Sequence, residues 1–218
     1  HGKSGGPRGH ASNYDVLLDD LQLVWDWAKR ENLGRQRFLY GHSMGGQITL
    51  NFALRRQPDA AGVMVSAPWL ILTYMPPAWK VALARTLAAV WPTFTQSTGL
   101  DVAVPMAHDQ AHLNSFPDLN LAHALISARM GFNMLTGAAA ALARAPEFTL
   151  PLLILHGDDD GAMSPAGSQQ FYERAASADK TFKHYAGMYH EVHNETERER
   201  VLKDVVEWLD KHVGSLGS

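Results

Sequence analysis

The sequence predicts an α/β fold: a mostly parallel sheet flanked by helices. Three observations carry that expectation. Short apolar runs of strand length alternate with amphipathic helical segments, a Gly-x-Ser-x-Gly turn joins one strand to a helix, and loops rich in Asp and His follow later strands. Residues 1–12 are a Gly-rich loop. Ser12 with Asp15 resembles a capping box, after which Leu17, Leu21, Val24 and Ala28 share one helical face until Gly34 ends the helix. A strand over 37–42 leads into the turn, and a helix then runs to Arg56, stopped by Pro58. Gly62-Val63-Met64-Val65 and Pro151-Leu152-Leu153-Ile154-Leu155-His156 read as buried strands. A helix from Pro165 to Ala176 precedes a strand at Thr181–Tyr185. The last helix spans Glu195 to Val213, with Val201, Val205, Trp208 and Leu209 on its apolar face.

Composition suits one enzyme-sized domain. The chain has 218 residues, 46% hydrophobic and 19% charged, enough to bury a substantial core and too apolar for disorder. A formal charge of −3 without long runs gives no sign of nucleic-acid binding. The absence of Cys excludes disulfides, thiolate zinc sites and a cysteine nucleophile. No uncharged apolar run is long enough to span a bilayer, and there is no signal peptide, although the chain does not begin with Met.

The turn at Gly41-His42-Ser43-Met44-Gly45 is the most informative feature. A serine at a sharp strand-to-helix turn takes strained backbone angles, and the flanking positions tolerate little side chain, which accounts for Gly41 and Gly45. The strain lifts the Ser43 hydroxyl above the sheet edge, and the following helix aims its first N–H groups at a developing oxyanion. Such a nucleophile needs a base and an orienting acid. The acidic turn Asp158-Asp159-Asp160 follows one strand, and His190 and His193 follow the next, so both loops emerge on the Ser43 side. Solvated Asx turns are the expected fate of two of the three aspartates. His193 lies nearer the last helix, where capping or a supporting role competes.

Between the strands at 62–66 and 151–156 lies an insertion far longer than an ordinary crossover. Its first part is strongly apolar, with Trp69, Leu72, Trp79, Leu83, Leu87 and Trp91. Its later part, 121–143, is helical and rich in Ala and Met. We expect a helical lid over an acyl pocket, with Trp69, Leu72, Trp79 and Leu83 as substrate-binding residues and transient contact with a membrane surface. The competing expectation is the core of a small helical subdomain. The domain division is a core over 1–67 and 147–218 and a lid over 68–146.

These residues resemble the α/β-hydrolases of the monoacylglycerol lipase and lysophospholipase group over nearly the whole chain. The resemblance rests on His1-Gly2-Lys3-Ser4, Gly41-His42-Ser43-Met44-Gly45-Gly46 and Ser66-Ala67-Pro68. It continues through Gly157 to Asp160 with Ser164-Pro165, Asp179-Lys180-Thr181, and Tyr189-His190-Glu191. It implies Ser43 as nucleophile, Asp160 as orienting acid, His190 as base and the Met44 backbone N–H as an oxyanion donor, with no metal or organic cofactor. The implied reaction is two-step hydrolysis of a single-chain acyl ester, a monoacylglycerol or lysophospholipid. The implied setting is cytoplasmic, peripheral at a membrane, with a small-molecule lipid partner and no nucleic acid. An acyltransferase with the same triad would differ only in excluding water from the acyl-enzyme. A non-catalytic binding module would show an eroded triad, and here all three positions are filled.

The resemblance further implies that the chain opens in mid-motif and lacks N-terminal strands. The upstream segment would hold the first half of the sheet and the second oxyanion N–H, its strand pairing with residues 37–42. Residues 1–218 alone are on that expectation poorly soluble and nearly inactive.

Overall fold

The computed structural model describes residues 2–98, 105–115 and 123–213; His1, from the opening motif, lies outside them. Helix α1 (Tyr14–Glu31) is followed by β1 (Phe38–His42), α2 (Met44–Arg56), β2 (Gly62–Ser66) and α3 (Ala78–Val90). Next come β3 (Thr95–Ser97), the short α4 (Gln110–Asn114), β4 (Leu125–Ser127), α5 (Ala128–Arg144) and β5 (Leu152–Gly157). Helix α6 (Pro165–Arg174), β6 (Lys180–Tyr185) and α7 (Arg198–Val213) complete the order.

The main sheet has the order β1-β2-β5-β6, and all its pairs are parallel. Its central strands, β2 and β5, are buried at every position, as apolar runs covered on both faces require. The two-residue period of a strand divides their side chains between two cores. Val63, Val65, Leu152 and Ile154 pack with α1, α2 and α6 around Leu18, Leu50, Phe52 and Phe171. Met64, Leu153 and Leu155 face Val201 and Trp208 of α7. Each such fully buried Leu or Phe contributes about 1.5–3 kcal/mol relative to exposure.

Helix α1 is capped by Asn13, whose side chain accepts from the Val16 N–H, and not by Ser12. Its buried face is also turned from the expected one. Leu18 and Trp25 are buried while Val24 is exposed, although Leu21 packs on the core as expected. Two hydrogen-bonded side chains select this face. Trp25 Nε1 donates to Asp59, and Tyr14 shares a polar seam with Gln47 and Asn51 of α2. Asn51 and Gln47 also donate to the Gly137 and Met134 carbonyls, which joins α5 to α2.

Within 68–146, β3 and β4 form an antiparallel pair, so the stretch expected to be helical from 121 carries a strand before α5 begins. The C-terminal half of α5 enters the main core through Ala141, with Ala145 just beyond it. The last turns of the insertion therefore pack as part of the main α/β layers. Residues 121–122 lie outside the described ones.

Candidate active site

Strand β1 ends at His42 and α2 begins at Met44, leaving Ser43 alone at the turn with φ 53° and ψ −118°. These angles are costly for a residue with a Cβ, and the backbone around Ser43 holds them. Ser43 N–H donates to Ser66 O (2.9 Å), and the Ser43 carbonyl accepts from Trp69 N–H (3.0 Å) and Gln47 N–H (3.1 Å). A Cβ on Gly41 would stand 2.5 Å from both the Gly45 carbonyl and Thr49 Oγ1, so no side chain fits there. The other close approach is at Gly46, whose Cβ would meet Pro68 at 3.0 Å. A Cβ on Gly45 would meet nothing within 4 Å, which corrects the steric reason expected for that glycine. Met44 is the first residue of α2, so its N–H belongs to the first-turn donors that have no partner within the helix.

The loops after β5 and β6 bring two side chains to Ser43. His190 Nε2 lies 2.9 Å from Ser43 Oγ, and His190 Nδ1 lies 2.7 Å from Asp160 Oδ2. Both His190 and Asp160 are buried. The other carboxylate oxygen, Oδ1, accepts from Ala162 N–H (2.8 Å) and Met163 N–H (2.9 Å). Burial alone would raise the Asp160 pKa. Hydrogen bonds from His156 and His190, the nearby His190 charge and the Met163 N–H outweigh it, and the carboxyl is held well below its usual range. Asp158 and Asp159 are exposed, and Asp158 pairs with His184 at 2.9 Å.

His193 does not join this chain. Its ring stands 4.9 Å from that of His42, which in turn lies 4.7 Å from His190. Burial pushes His42 down to about 3, aided by repulsion from His190 and His193, so it is a neutral neighbour of the Ser43–His190–Asp160 series. Burial also lowers His193, against the opposing pull of Glu191.

Two residues that sequence reasoning passed over complete the surroundings. His156, fully buried at the end of β5, places Nε2 3.1 Å from Asp160 Oδ2 and Nδ1 2.8 Å from Ser168 Oγ. Glu195, expected to open the last helix, is buried ahead of it. It accepts from Tyr189 N–H (2.8 Å), His108 N–H (3.0 Å) and the His108 ring (3.0 Å). Burial would raise the Glu195 pKa, but the Tyr189 and His108 N–H groups and the His108 ring more than offset this and lower it. His108 also stacks on Tyr189, and Glu191 N–H donates to Met106 O (2.7 Å), so segment 106–108 grips the His190 loop. The sequence signal for His156 was a polar residue closing an otherwise apolar strand. Glu195 had no comparable local signal.

An apolar cavity of about 430 Å³ adjoins this cluster. Its walls include Trp69 and Leu72, whereas helix α3 contributes Lys80, Val81 and Ala84. Gly161 and Ala162, beside Asp160, also line it. Trp79 and Leu83 do not line it: with Leu87 they line an adjoining outer groove, and both are exposed. Along α3, Val81 lines only the cavity, Trp79, Leu83 and Leu87 only the groove, and Lys80 and Ala84 stand between and line both. The start of the insertion is fastened to the Asp160 loop, with Thr73 Oγ1 donating to Asp160 O (3.0 Å) and Ser164 N–H to Ile71 O (2.8 Å). Among the described residues no helix is long and apolar enough to cross a membrane.

A family model described as "Hydrolase_4: Serine aminopeptidase, S33" matches residues 1–197. An uncharacterized abhydrolase domain-containing protein of Dictyostelium discoideum is 34% identical over 98% of the chain, which spans only 22% of that relative. Monoacylglycerol lipase of Mycolicibacterium smegmatis is 32% identical over 98% of the chain and 76% of its own length. Among solved structures, the monoacylglycerol lipase of Paleococcus ferrophilus has a TM-score of 0.87 at 30% identity, covering 97% of this chain and 80% of that one. A soluble variant of the Saccharomyces cerevisiae monoglyceride lipase, in complex with a substrate analog, has a TM-score of 0.80 at 29% identity, covering 98% and 75%.

Proposed function

The chain belongs to the Hydrolase_4 family, in its monoacylglycerol lipase group of α/β-hydrolases, and on that premise we propose that it is a serine carboxylic-ester hydrolase cleaving a single-chain acyl lipid of the monoacylglycerol type. The observation that carries this reading is the unbroken hydrogen-bonded series Ser43–His190–Asp160 beside an apolar cavity. His190 takes the Ser43 proton as Oγ attacks the ester carbonyl, and Asp160 fixes the tautomer and steadies the imidazolium. The Met44 N–H stabilises the oxyanion, His190 protonates the leaving glycerol, and water activated by the same ring releases the fatty acid. A cavity walled by Trp69, Leu72, Val81 and Ala84 suits an acyl chain, in line with relatives described as monoacylglycerol lipases.

In this reading the segment over 68–146 acts as the lid. Its outer surface, with Tyr74, Met75, Trp79, Leu83 and Trp91 exposed, rests on lipid while substrate enters. A fluorophosphonate probe tests the core of the proposal. Labelling of the complete enzyme is expected, and Ser43→Ala should abolish it without loss of fold. Persistent labelling of the variant at another serine would refute the assignment.

A further inference from the structure

Four donors meet the Asp160 carboxylate. Two backbone N–H groups saturate Oδ1, and two histidines meet at Oδ2. One of them, His190, is explained by the proposed relay. The other, His156, is not: its hydrogen bonds go to Ser168, Asp160 and Met163 and it does not line the cavity, yet it is fully buried.

The environment of the His156 ring defines what it does. Nε2 faces Asp160 Oδ2 and the Met163 carbonyl, both at 3.1 Å. An ionised carboxylate and a carbonyl can only accept, so Nε2 carries a hydrogen. Ser168 Oγ, at 2.8 Å from Nδ1 and itself buried on α6, fixes the opposite side of the ring. His156 is thus a rigid N–H donor built into the sheet, aimed at the carboxylate oxygen that also receives His190.

We propose that His156 is a positioning residue for the relay, acting on His190 through Asp160. Its donation has two effects. It prevents the carboxylate from rotating away from His190, and it shares the electron density of Oδ2, so that Asp160 orients His190 without over-stabilising its protonated form. A base held too firmly as imidazolium is unavailable to take the Ser43 proton. Removing the His156 donor leaves Oδ2 to His190 alone, which favours the imidazolium and delays the appearance of the neutral base until higher pH. The other titratable groups near the His190 ring are His42, His193 and Glu191, and all remain in the variants below.

This inference rests on the proposed roles of Ser43, His190 and Asp160, and its test is chosen to fail separately from theirs. The rate of fluorophosphonate labelling is measured from pH 5.5 to 9 for the unaltered chain, His156→Leu and His156→Gln, with circular dichroism as the check on folding. For His156→Leu we expect a fall of about tenfold on the acid side that disappears toward pH 9. The Gln amide N–H reaches the same oxygen, so His156→Gln should stay within about threefold of the unaltered chain at every pH. A loss in His156→Leu that is equal at all pH values, or a His156→Gln as impaired as His156→Leu, would mean a merely structural residue and overturn the proposal. If His156→Leu does not fold, Ser168→Ala carries the same test. The ring then stays in β5 without its anchor, and an acid-side loss of about threefold is expected, with a pH-independent loss or none overturning the idea. Absence of labelling in the unaltered chain would instead remove the Ser43 assignment, and the proposal with it.

Discussion

The loops carrying Asp160 and His190 leave neighbouring parallel strands at the same sheet edge, yet they are held in different ways. The Asp160 loop is short and holds its own carboxylate, although Thr73 and Ile71 of the insertion also bond its backbone. Its carboxylate folds back onto the N–H groups of Ala162 and Met163, and His156 comes from the strand just before it. The His190 loop depends on remote groups. Its neighbour Tyr189 donates to Glu195 beyond a 3-10 turn, and Glu195 is itself gripped by His108 of the insertion. The comparison suggests a division of labour. The carboxylate of the proposed acid is fixed by local groups, whereas the loop of the proposed base is also clamped by the insertion through Glu195 and His108.

The largest effect expected is at the acid. Asp160→Asn keeps the shape but replaces one carboxylate oxygen by an amide N–H: with the carbonyl kept on the Ala162 and Met163 amides, that N–H faces His190 Nδ1 and disturbs its tautomer. Turnover of a monoacylglycerol should fall about 10⁴-fold with the fold intact. A loss below about tenfold in a kinetic assay would show that the acid is supplied from elsewhere, and the comparison would collapse.

Next is the remote clamp. Glu195→Ala strips the acceptor from two part-buried backbone N–H groups and from the His108 ring, which costs at most the ~1–3 kcal/mol of a fully buried unsatisfied donor for each. It also loosens the peptide adjoining His190. A displacement of about 1 Å suffices for a roughly 10²-fold loss of turnover, and KM should change far less. Acid stability offers an independent reading. Because the folded pKa of Glu195 is below its ordinary 4.5, its ionised form contributes stability that is present above that value and is lost as pH falls through the lower folded one. Urea midpoints for Glu195→Gln should therefore vary less with pH across the acid range than those of the unaltered chain. Parallel curves would place the clamp outside the energetics of this loop.

The same contrast explains how much was legible in the sequence. The parallel sheet was legible because Gly62–Val65 and Leu152–Leu155 are apolar at successive positions, which only a strand buried on both faces requires. The turn at Ser43 was legible because its glycines report local backbone geometry. What was not legible depends on contacts between distant segments. The choice between the α1 faces rests on Asp59 and Asn51, far along the chain. Glu195 looked like a helix-start residue because its partner His108 lies 87 positions away. Asp160 could be separated from Asp158 and Asp159 only by family register, and in the structure the three differ in direction: Asp160 is buried and its neighbours are exposed. Trp79 and Leu83 carried a strong apolar signal, but periodicity alone does not say which side of α3 meets the cavity.

That last ambiguity gives a smaller effect, and it tests what the insertion does besides gripping the His190 loop. Val81→Asp puts a charge on the cavity wall and should reduce hydrolysis of long-chain esters about tenfold or more while sparing short soluble ones. Trp79→Asp, on the outer groove, should impair hydrolysis of aggregated lipid and leave monomeric substrates of any length within about twofold. Equal losses on every substrate in both variants would reassign α3 to a purely structural role.

The smallest effect expected lies at the tip of the acid loop. Asp158 is exposed, its side chain pairs with His184 across the surface, and its N–H donates to Tyr185 O through the backbone, which a side-chain change leaves in place. An exposed pair of this kind contributes about 0–1 kcal/mol. Asp158→Asn should therefore lower stability only slightly and leave turnover within about twofold. Asp159→Asn should do no more, since its N–H donates to Met188 O from the backbone. If the Asp160 carboxylate is held by the Ala162, Met163 and His156 donors alone, the double variant should also match the unaltered chain in its pH–rate profile. A shifted profile would show that the tip of the loop communicates with Asp160, and that the local lock on the acid is less complete than the remote clamp on the base.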